Sequence, residues 1–368
     1  MNLLNATGMA AGYTMGMDKT GAEYVVVVVK GTFTLPKPGE TPKLADEQVP
    51  LVDADQFTGQ PGLSATLVEC DYVLEKPRCD VLLNGAAYAP GGKPAERVTV
   101  GLQVGSWRKA FAVCGNRVWY DAAGRYLPSV ATPFERMPIS YYNAFGGTDD
   151  GMRDPTQHGT YLPNPIGRGW HKHVHRDLVV GTPVSNTEEI GDPVREPSGK
   201  YRPMAFGPIG RGCPSRIPYA GTYDQNWLDN VFPFLPEDFD TRCLQCAPED
   251  QQIAPPLGGE QVVMVNLTPD GRRTFALPVV EMPVVFLHRH ADRMETKGTL
   301  DTVLFEPEAE RFSLVWRANL KLERDIFELS QAVVGRMSRA WWRSVETGKD
   351  YKSIAAIVRE KAAARKYA

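Results

Sequence analysis

Runs of β-branched residues and alternation of apolar with polar positions dominate the first third of the chain. Residues 22–35, AEYVVVVVKGTFTL, are long and β-branched enough to predict a central strand. Residues 96–105 alternate in the way that a half-buried strand does. Residues 63–74 and 79–88 predict two further strands with a Glu-Lys-Pro-Arg turn between them. Strands that follow one another this closely favour a β-sandwich or a barrel.

Hairpin patterns extend the β prediction along the chain. Residues 108–120 predict a hairpin with Gly115 and Asn116 at its tip, a pair that suits the positive φ angles of a tight turn. Residues 260–278 predict a second hairpin around a Pro-Asp-Gly turn. Residues 279–289 predict a further strand, and their internal proline indicates an edge position or a bulge.

Helical periodicity first appears near the C-terminal end. Residues 299–322 still predict two strands around a Glu-Pro-Glu turn, but residues 323–345 predict a helix with one apolar face. Its apolar positions recur every three or four residues: Ile326, Leu329, Val333, Met337, Ala340 and Trp341. Residues 354–366 are Ala-rich and basic, which predicts a weakly helical tail that the fold does not need for stability.

The middle of the chain has a different texture. Between Pro193 and Pro256 there are 11 prolines, and proline is excluded from the interior of helices and central strands. A disordered linker of this composition would be poor in aromatic residues, yet aromatic residues persist throughout this region. We therefore expect ordered loops that are packed by their own aromatic side chains.

Together these patterns predict a mainly β protein with sandwich-like or barrel-like lobes, a long ordered loop region rich in Pro and Gly, and a C-terminal helix. An α+β fold is the alternative. The predicted division is an N-terminal β-rich lobe (1–128), the loop region (129–258), β-hairpins that complete a second lobe (259–322) and a helical appendage (323–368).

Composition narrows the classes of function. The 368 residues carry a net charge of −3, without the basic stripe that nucleic-acid binding requires. No basic, apolar leader pattern opens the chain, and the longest apolar run, residues 24–29, is too short to span a membrane. We therefore expect a cytoplasmic protein that does not bind nucleic acid and does not span a membrane. The six cysteines fit reduced thiols better than a disulfide framework.

Two clusters could carry chemistry. If residues 170–175 are extended, His171, His173 and His175 point to one face and could bind a cation, although no carboxylate or cysteine stands at ligand spacing. Asp238 and Asp240 could serve as the paired acids of glycoside hydrolysis. Aspartates in such loops more often close turns through side-chain hydrogen bonds. A carbohydrate-active or metal-dependent hydrolase is thus the alternative to a non-enzymatic protein, for which we expect no cofactor.

Aromatic and arginine side chains set among Pro and Gly also suit a protein-binding surface, since these residues are the usual anchors of interfaces. The candidate contacts are Phe145, Trp170, Arg216, Tyr223, Trp227 and Phe239. A second set of residues is typical of tight turns that position such contacts: Asn143, Gly146, Gly147, Asn164, Pro165, Gly167, Gly169, Gly221, Asp224, Asp238 and Asp240.

A series of segments then suggests a family. In order these are VVVKGTFTL (27–35), CDVLLNGAAYAPGG (79–92), YYNAFGGTD (141–149), YLPNPIGRGW (161–170), MAFGPIGRGC (204–213), YAGTYDQNWLDNVFPFLPEDFD (219–240) and APEDQQ (247–252). The chain resembles the bacterial domain-of-unknown-function family 2169 over roughly residues 1 to 320.

The resemblance implies a function that the composition does not. Members typically accompany type VI secretion genes, including those for VgrG spike proteins, PAAR-tip proteins and toxic effectors. They are regarded as effector adaptors or chaperones, and the family brings no established active site. We therefore expect a non-enzymatic adaptor that binds an effector or a PAAR-linked segment and helps load it onto the VgrG spike.

Overall fold

The computed structural model describes residues 1–289, 293–348 and 358, and strands make up most of their regular structure. The first twelve strands are β1 (Asn2–Asn5), β2 (Ala10–Met17), β3 (Glu23–Thr34), β4 (Gln56–Phe57), β5 (Thr66–Val68), β6 (Cys79–Leu83), β7 (Gly85–Tyr88), β8 (Arg97–Val104), β9 (Trp107–Cys114), β10 (Trp119–Ala122), β11 (Arg125–Pro128) and β12 (Arg136–Ile139). Thirteen more follow: β13 (Phe145–Gly146), β14 (Thr148–Asp149), β15 (Gly159–Thr160), β16 (Arg168–Gly169), β17 (Thr187–Glu188), β18 (Gln252–Ile253), β19 (Gln261–Val265), β20 (Arg272–Ala276), β21 (Pro283–His288), β22 (Arg293–Lys297), β23 (Thr299–Glu306), β24 (Arg311–Lys321) and β25 (Leu329–Val334).

Helices are short in the described part of the chain. The α-helices are α1 (Arg176–Val179), α2 (Gln225–Asn230) and α3 (Arg339–Thr347). Single turns of 3-10 helix occur at Pro90–Gly92, Tyr141–Asn143, Pro155–Gln157, Ile217–Tyr219, Thr241–Leu244, Glu249–Gln251, Pro307–Ala309 and Ile326–Glu328. None of the helices described is long and apolar enough to cross a bilayer. The prediction of a mainly β protein is confirmed.

Three sheets enclose the main core. The largest has six strands in the order β18-β6-β23-β24-β3-β2, the second has the order β17-β9-β8-β19-β20, and the third has the order β1-β25-β21-β22. Fully buried side chains from all three sheets meet in one cluster, among them Val27, Phe111, Phe286 and Phe312. Burial of this apolar surface is the main stabilising contribution to such a fold.

Several predicted strands and hairpins form. The β-branched run of residues 22–35 forms β3, a central strand between β2 and β24. Residues 260–278 form the hairpin of β19 and β20, and residues 299–322 form β23 and β24 around Pro307–Ala309. The edge position suggested by Pro283 is wrong, because Pro283 begins β21, an interior strand, and the first position of a strand tolerates a proline.

The predicted hairpin in residues 108–120 is wrong. Strand β9 pairs instead with β8 and β17, whereas β10 pairs with β11. Gly115 does not sit in a tight turn. Its backbone passes so close to the loop at Thr132 that a Cβ would stand 1.8 Å from the Thr132 carbonyl oxygen. Glycine is required there by close packing and not by turn geometry. The strand predicted in 63–74 is likewise reduced to β5.

The predicted helix in residues 323–345 is also wrong over most of its length. Residues 329–334 form β25, which pairs in parallel with β1 and antiparallel with β21. Ala332, Val333 and Val334 are all fully buried, so both faces of this strand are covered. A strand that is buried on both faces shows no polar alternation, and its apolar residues can imitate helical spacing. Helical structure in this segment is limited to the single 3-10 turn at Ile326–Glu328 and to α3, which is preceded by its N-cap Ser338.

The loop region contains little regular structure. Between Ser129 and Gly258 the strands are two to four residues long and the two α-helices are four and six residues long. A second cluster, which we call the loop core, fills this region with Trp119, Phe145, Tyr161, Val179, Val184 and Val194. The division into four segments stays a prediction, and the predicted tail helix at 354–366 lies outside the described residues.

Candidate functional site

Two of the candidate partner contacts lie at the loop core: Phe145 is one of its residues, and Trp170 packs against it. Phe145 is fully buried, and its ring packs edge-on against Tyr161 and Tyr201 at centroid distances of 5.2 and 5.0 Å. Trp170 is half-buried, and its ring centroid lies 5.8 Å from that of Tyr161. The Phe145 side chain therefore packs the loops and is not part of any accessible surface.

The predicted turn residues lie around this core. Positive φ angles between 96° and 150° occur at Gly146, Gly147 and Gly169. The Asn164 side chain donates hydrogen bonds to the carbonyls of Tyr141 and Phe145 at 2.8 and 3.1 Å. A Cβ on Gly167 would stand 2.3 Å from the Asn164 amide nitrogen. The irregular backbone is thus satisfied by fixed hydrogen bonds, as buried loops require.

The pentapeptide Pro-Ile-Gly-Arg-Gly occurs twice, at 165–169 and at 208–212, a repeat that was not among the sequence predictions. Residues of both copies line one crevice of about 210 Å³. The second copy is anchored by Arg211, whose Nε donates to an Asp55 carboxylate oxygen at 2.9 Å. The duplicated pentapeptide is the sequence signal that could have located this crevice.

A neighbouring cleft of about 450 Å³ contains an ion cluster in which Lys109 is buried and Arg202 is half exposed. The Lys109 amine donates to Gln251 Oε1 at 2.6 Å and lies 3.0 Å from an Asp250 carboxylate oxygen. Arg202 donates to the same carboxylate at 2.7 Å. Burial lowers the pKa of Lys109 to about 8, although Asp250 acts to raise it. The buried Lys109 amine thus finds its hydrogen-bond partners, Gln251 and Asp250, within the protein.

Arg216, a third candidate partner contact, is also buried. Its guanidinium forms a bidentate ion pair with the Glu69 carboxylate, and both side chains are about 95% buried. It also donates to the carbonyls of Ile209 and Cys243, at 2.6 and 2.7 Å. Arg216 therefore ties three chain segments together and does not reach a partner.

The candidates Tyr223 and Trp227 lie around α2, in a segment that we call the aromatic loop (residues 222–236). Asp224 caps α2 by accepting a hydrogen bond from the backbone N–H of Trp227 at 2.8 Å. The Trp227 indole N–H donates to the Phe234 carbonyl at 3.0 Å and closes the loop. These bonds hold the loop in one conformation, although α2 has only six residues.

The aromatic loop exposes four large apolar side chains by 45% to 62% of their area: Tyr223, Leu228, Phe232 and Phe234. Trp227, which is half-buried, packs edge-on against the rings of Tyr223 and Phe232, at centroid distances of 4.8 and 5.6 Å. An exposed apolar cluster of this kind is typical of an interaction surface. Only Tyr223 and Trp227 were identified from the sequence.

The carboxylates of Asp238 and Asp240 fix turns at the end of this loop. Thr222 donates to Asp238 from its backbone N–H and its hydroxyl, at 2.9 and 2.7 Å. Arg242 donates to Asp240 from its backbone and its guanidinium, at 2.9 and 2.6 Å. Hydrogen bonds from Thr222 and Arg242 lower the pKa values of Asp238 and Asp240, respectively. A general acid requires a raised pKa. Phe239 between them is half-buried, and Gly221 before Thr222 has a φ of 87°.

The three histidines make separate contacts. The ring of His171 lies 3.0 Å from the Thr182 hydroxyl, whereas those of His173 and His175 stack at a centroid distance of 6.4 Å. Burial lowers the pKa of His171. Within residues 1–289 and 293–348, no group of three or more His, Cys, Asp or Glu side chains could hold a metal ion.

Comparison with known proteins places the chain in a family. A family model described as an uncharacterized protein conserved in bacteria (DUF2169) matches residues 20–317. Neither the curated proteins nor the solved structures contain a match. The match covers most of the chain and includes every segment on which the resemblance rested. The protein therefore belongs to the DUF2169 family.

Proposed function

We propose that this protein is a non-enzymatic adaptor of bacterial type VI secretion. In this role it binds an effector, or a segment linked to a PAAR protein, in the cytoplasm and helps load it onto the VgrG spike. Family membership supports this role through the secretion genes that such proteins accompany.

The observation that carries the proposal is the aromatic loop. Tyr and Phe side chains supply large contact areas with few rotatable bonds, so an interface that buries them gains more than it loses in side-chain entropy. The loop is already closed by the Trp227 and Asp224 hydrogen bonds. A partner therefore meets a preformed surface and does not have to order it on binding.

The test is co-purification of the full-length protein with the effector that is encoded beside its gene. The variant Tyr223→Ala/Leu228→Ala removes two exposed side chains and leaves Trp227, which supports the loop, in place. We expect at least about a tenfold loss of affinity, since truncating an interface anchor typically costs 1–2 kcal/mol or more.

The matched control is Val130→Ala/Val279→Ala, which truncates two side chains that are 80% and 74% exposed outside the aromatic loop. It should bind like wild type. Equal capture by a folded Tyr223→Ala/Leu228→Ala protein would show that the aromatic loop is not the binding surface. Stable assembly with VgrG in the absence of any effector would indicate a structural component of the apparatus instead of an adaptor.

A further inference from the structure

The edges of the three sheets differ in how they are protected. Strands β17 and β18 are two residues long and β1 has four. Strand β20 carries two arginines, and β22 carries Arg293, Glu295 and Lys297. Charged side chains and short length are the usual means of preventing further strand pairing at an edge. Strand β2, with the sequence AAGYTMGM, has eight residues and contains neither a charge nor a proline.

The register of β2 identifies its free backbone groups. Just beyond the strand, the Asp18 N–H donates to the Ala22 carbonyl at 3.0 Å, so this opposing pair is directly hydrogen-bonded. Directly bonded and non-bonded pairs alternate along an antiparallel ladder. Thr14, opposite Val26, therefore hydrogen-bonds to β3 through its backbone. The residues whose backbone N–H and C=O groups point away from β3 are Ala11, Tyr13, Met15 and Met17. Among the described residues, no backbone hydrogen bond beyond the β3 pairing involves these four N–H groups.

Side chains at this edge are also incompletely covered. Tyr13 and Met15 lie opposite Val27 and Val25, both of which face the main core. Residues that oppose each other in an antiparallel pair share a face of the sheet. Tyr13 and Met15 are nevertheless 39% and 44% exposed. One additional strand beside β2 would therefore be needed to cover Tyr13 and Met15.

The open edge leads to the aromatic loop. The turn between β2 and β3 contains Gly21, and a Cβ at this glycine would stand 2.9 Å from the ring of Phe234. Lys19, in the same turn, donates to the Glu237 carbonyl at 3.4 Å. A chain lying along β2 would therefore reach the exposed side chains of the aromatic loop at the Met17 end of the strand.

We propose that β2 accepts an extended segment of the bound effector as a seventh strand of the six-stranded sheet. A row of unpaired N–H and C=O groups at strand spacing is complementary to another extended backbone. The segment should be uncharged, with apolar side chains at alternate positions that cover Tyr13 and Met15. Continuity with the aromatic loop favours the effector over a second copy of the chain, so this inference rests on the proposed function.

Proline substitutions at neighbouring positions test the edge. Met15→Pro removes only an outward N–H, which an edge strand tolerates, and should lower effector affinity at least about tenfold with little loss of stability. Met15→Ala keeps the N–H and should retain most of the binding. Thr14→Pro removes a hydrogen bond to β3 and should lower the unfolding midpoint. Equal destabilisation by the two proline variants, or unchanged binding by Met15→Pro, would overturn the inference.

Hydrogen exchange of the effector complex provides the second readout. We expect the amides of Ala11, Tyr13 and Met15 to exchange quickly in the free protein and slowly in the complex. If the complex forms while these amides stay unprotected, strand addition is refuted and the adaptor function stands. If no complex forms with wild type, the adaptor function itself is refuted. Protection without effector, together with a doubled mass, would assign the edge to a second copy and overturn the inference.

Discussion

At the scale of single residues, Arg216 illustrates how the loops are held. Its guanidinium is buried against Glu69 and also bonds to carbonyls of two other segments. Replacing it would leave the buried Glu69 carboxylate with the half-exposed Arg211, at 3.6 Å, in place of its bidentate partner. Arg216, which the sequence suggested as an interface contact, is thus a buried residue that stabilises the loops.

We predict that Arg216→Met lowers the free energy of unfolding by about 3–5 kcal/mol, because it removes the bidentate partner of the buried Glu69 carboxylate and the donor to two carbonyls. The control is Arg336→Met, whose ion pair with Glu281 is largely exposed and should contribute less than about 1 kcal/mol. Urea unfolding at neutral pH measures both. Similar losses for the two variants would contradict the structural role of Arg216.

Lys109 makes stability depend on alkaline pH. Its pKa is about 8 in the folded protein, where burial disfavours the charged amine, against 10.5 as the ordinary value. Between these values the unfolded chain binds more protons, so raising the pH favours folding. The resulting gain in the free energy of unfolding is absent below about pH 8 and reaches about 3 kcal/mol near pH 10.5.

The measurement is the difference in unfolding free energy between wild type and Lys109→Met from about pH 7 to about pH 10.5. As the pH rises, the free energy of unfolding of wild type should increase relative to that of Lys109→Met. The titration of groups that both proteins share cancels in this difference. An NMR titration of the Lys109 amine gives the pKa directly. A difference that does not change with pH would show that the amine titrates as it does in water.

At the scale of elements, β25 shows where local periodicity misleads. In the predicted helix of residues 323–345, Ala332 would lie outside the apolar face. A charged side chain at that position would be tolerated. In β25 this residue is fully buried between β1 and β21. We predict that Ala332→Asp lowers the free energy of unfolding by about 4 kcal/mol or more, since it buries an unpaired charge.

The control on the same strand is Ser330→Asp, because Ser330 is exposed. It should cost no more than about 1 kcal/mol, from the loss of its hydrogen bond to Leu287. Thermal or urea unfolding of both variants provides the comparison. A tolerated Ala332→Asp would argue for the helix and against the strand.

At the scale of the whole molecule, the sheets are assembled from distant parts of the chain. Strand β3 pairs with β24, β6 pairs with β23, and β8 pairs with β19. We predict that residues 1–128 alone do not fold, because each large sheet would lose strands that cover or pair with the rest. Circular dichroism and NMR of this fragment test the point, and a dispersed spectrum would instead establish an independent N-terminal lobe.

The two surfaces proposed for binding likewise belong to the whole molecule. The edge of β2 comes from the first twenty residues, and the aromatic loop lies about two hundred residues later in the chain. Contact between Gly21 and Phe234 brings them together. No local pattern could have joined them, and the N-terminal strands β1 and β2 were themselves not predicted.

The sequence by itself determined the elements whose pattern depends on near neighbours. These are the β-branched strand β3, the hairpins of residues 260–278 and 299–322, the ordered aromatic loops and the family. The tertiary structure alone decided that residues 329–334 form a strand, that Phe145 and Arg216 are buried while Phe232 is exposed, and that β2 is an open edge. The physical reason is that strand pairing and burial depend on segments far away in the chain, whereas periodicity and turn chemistry report only the residues beside them.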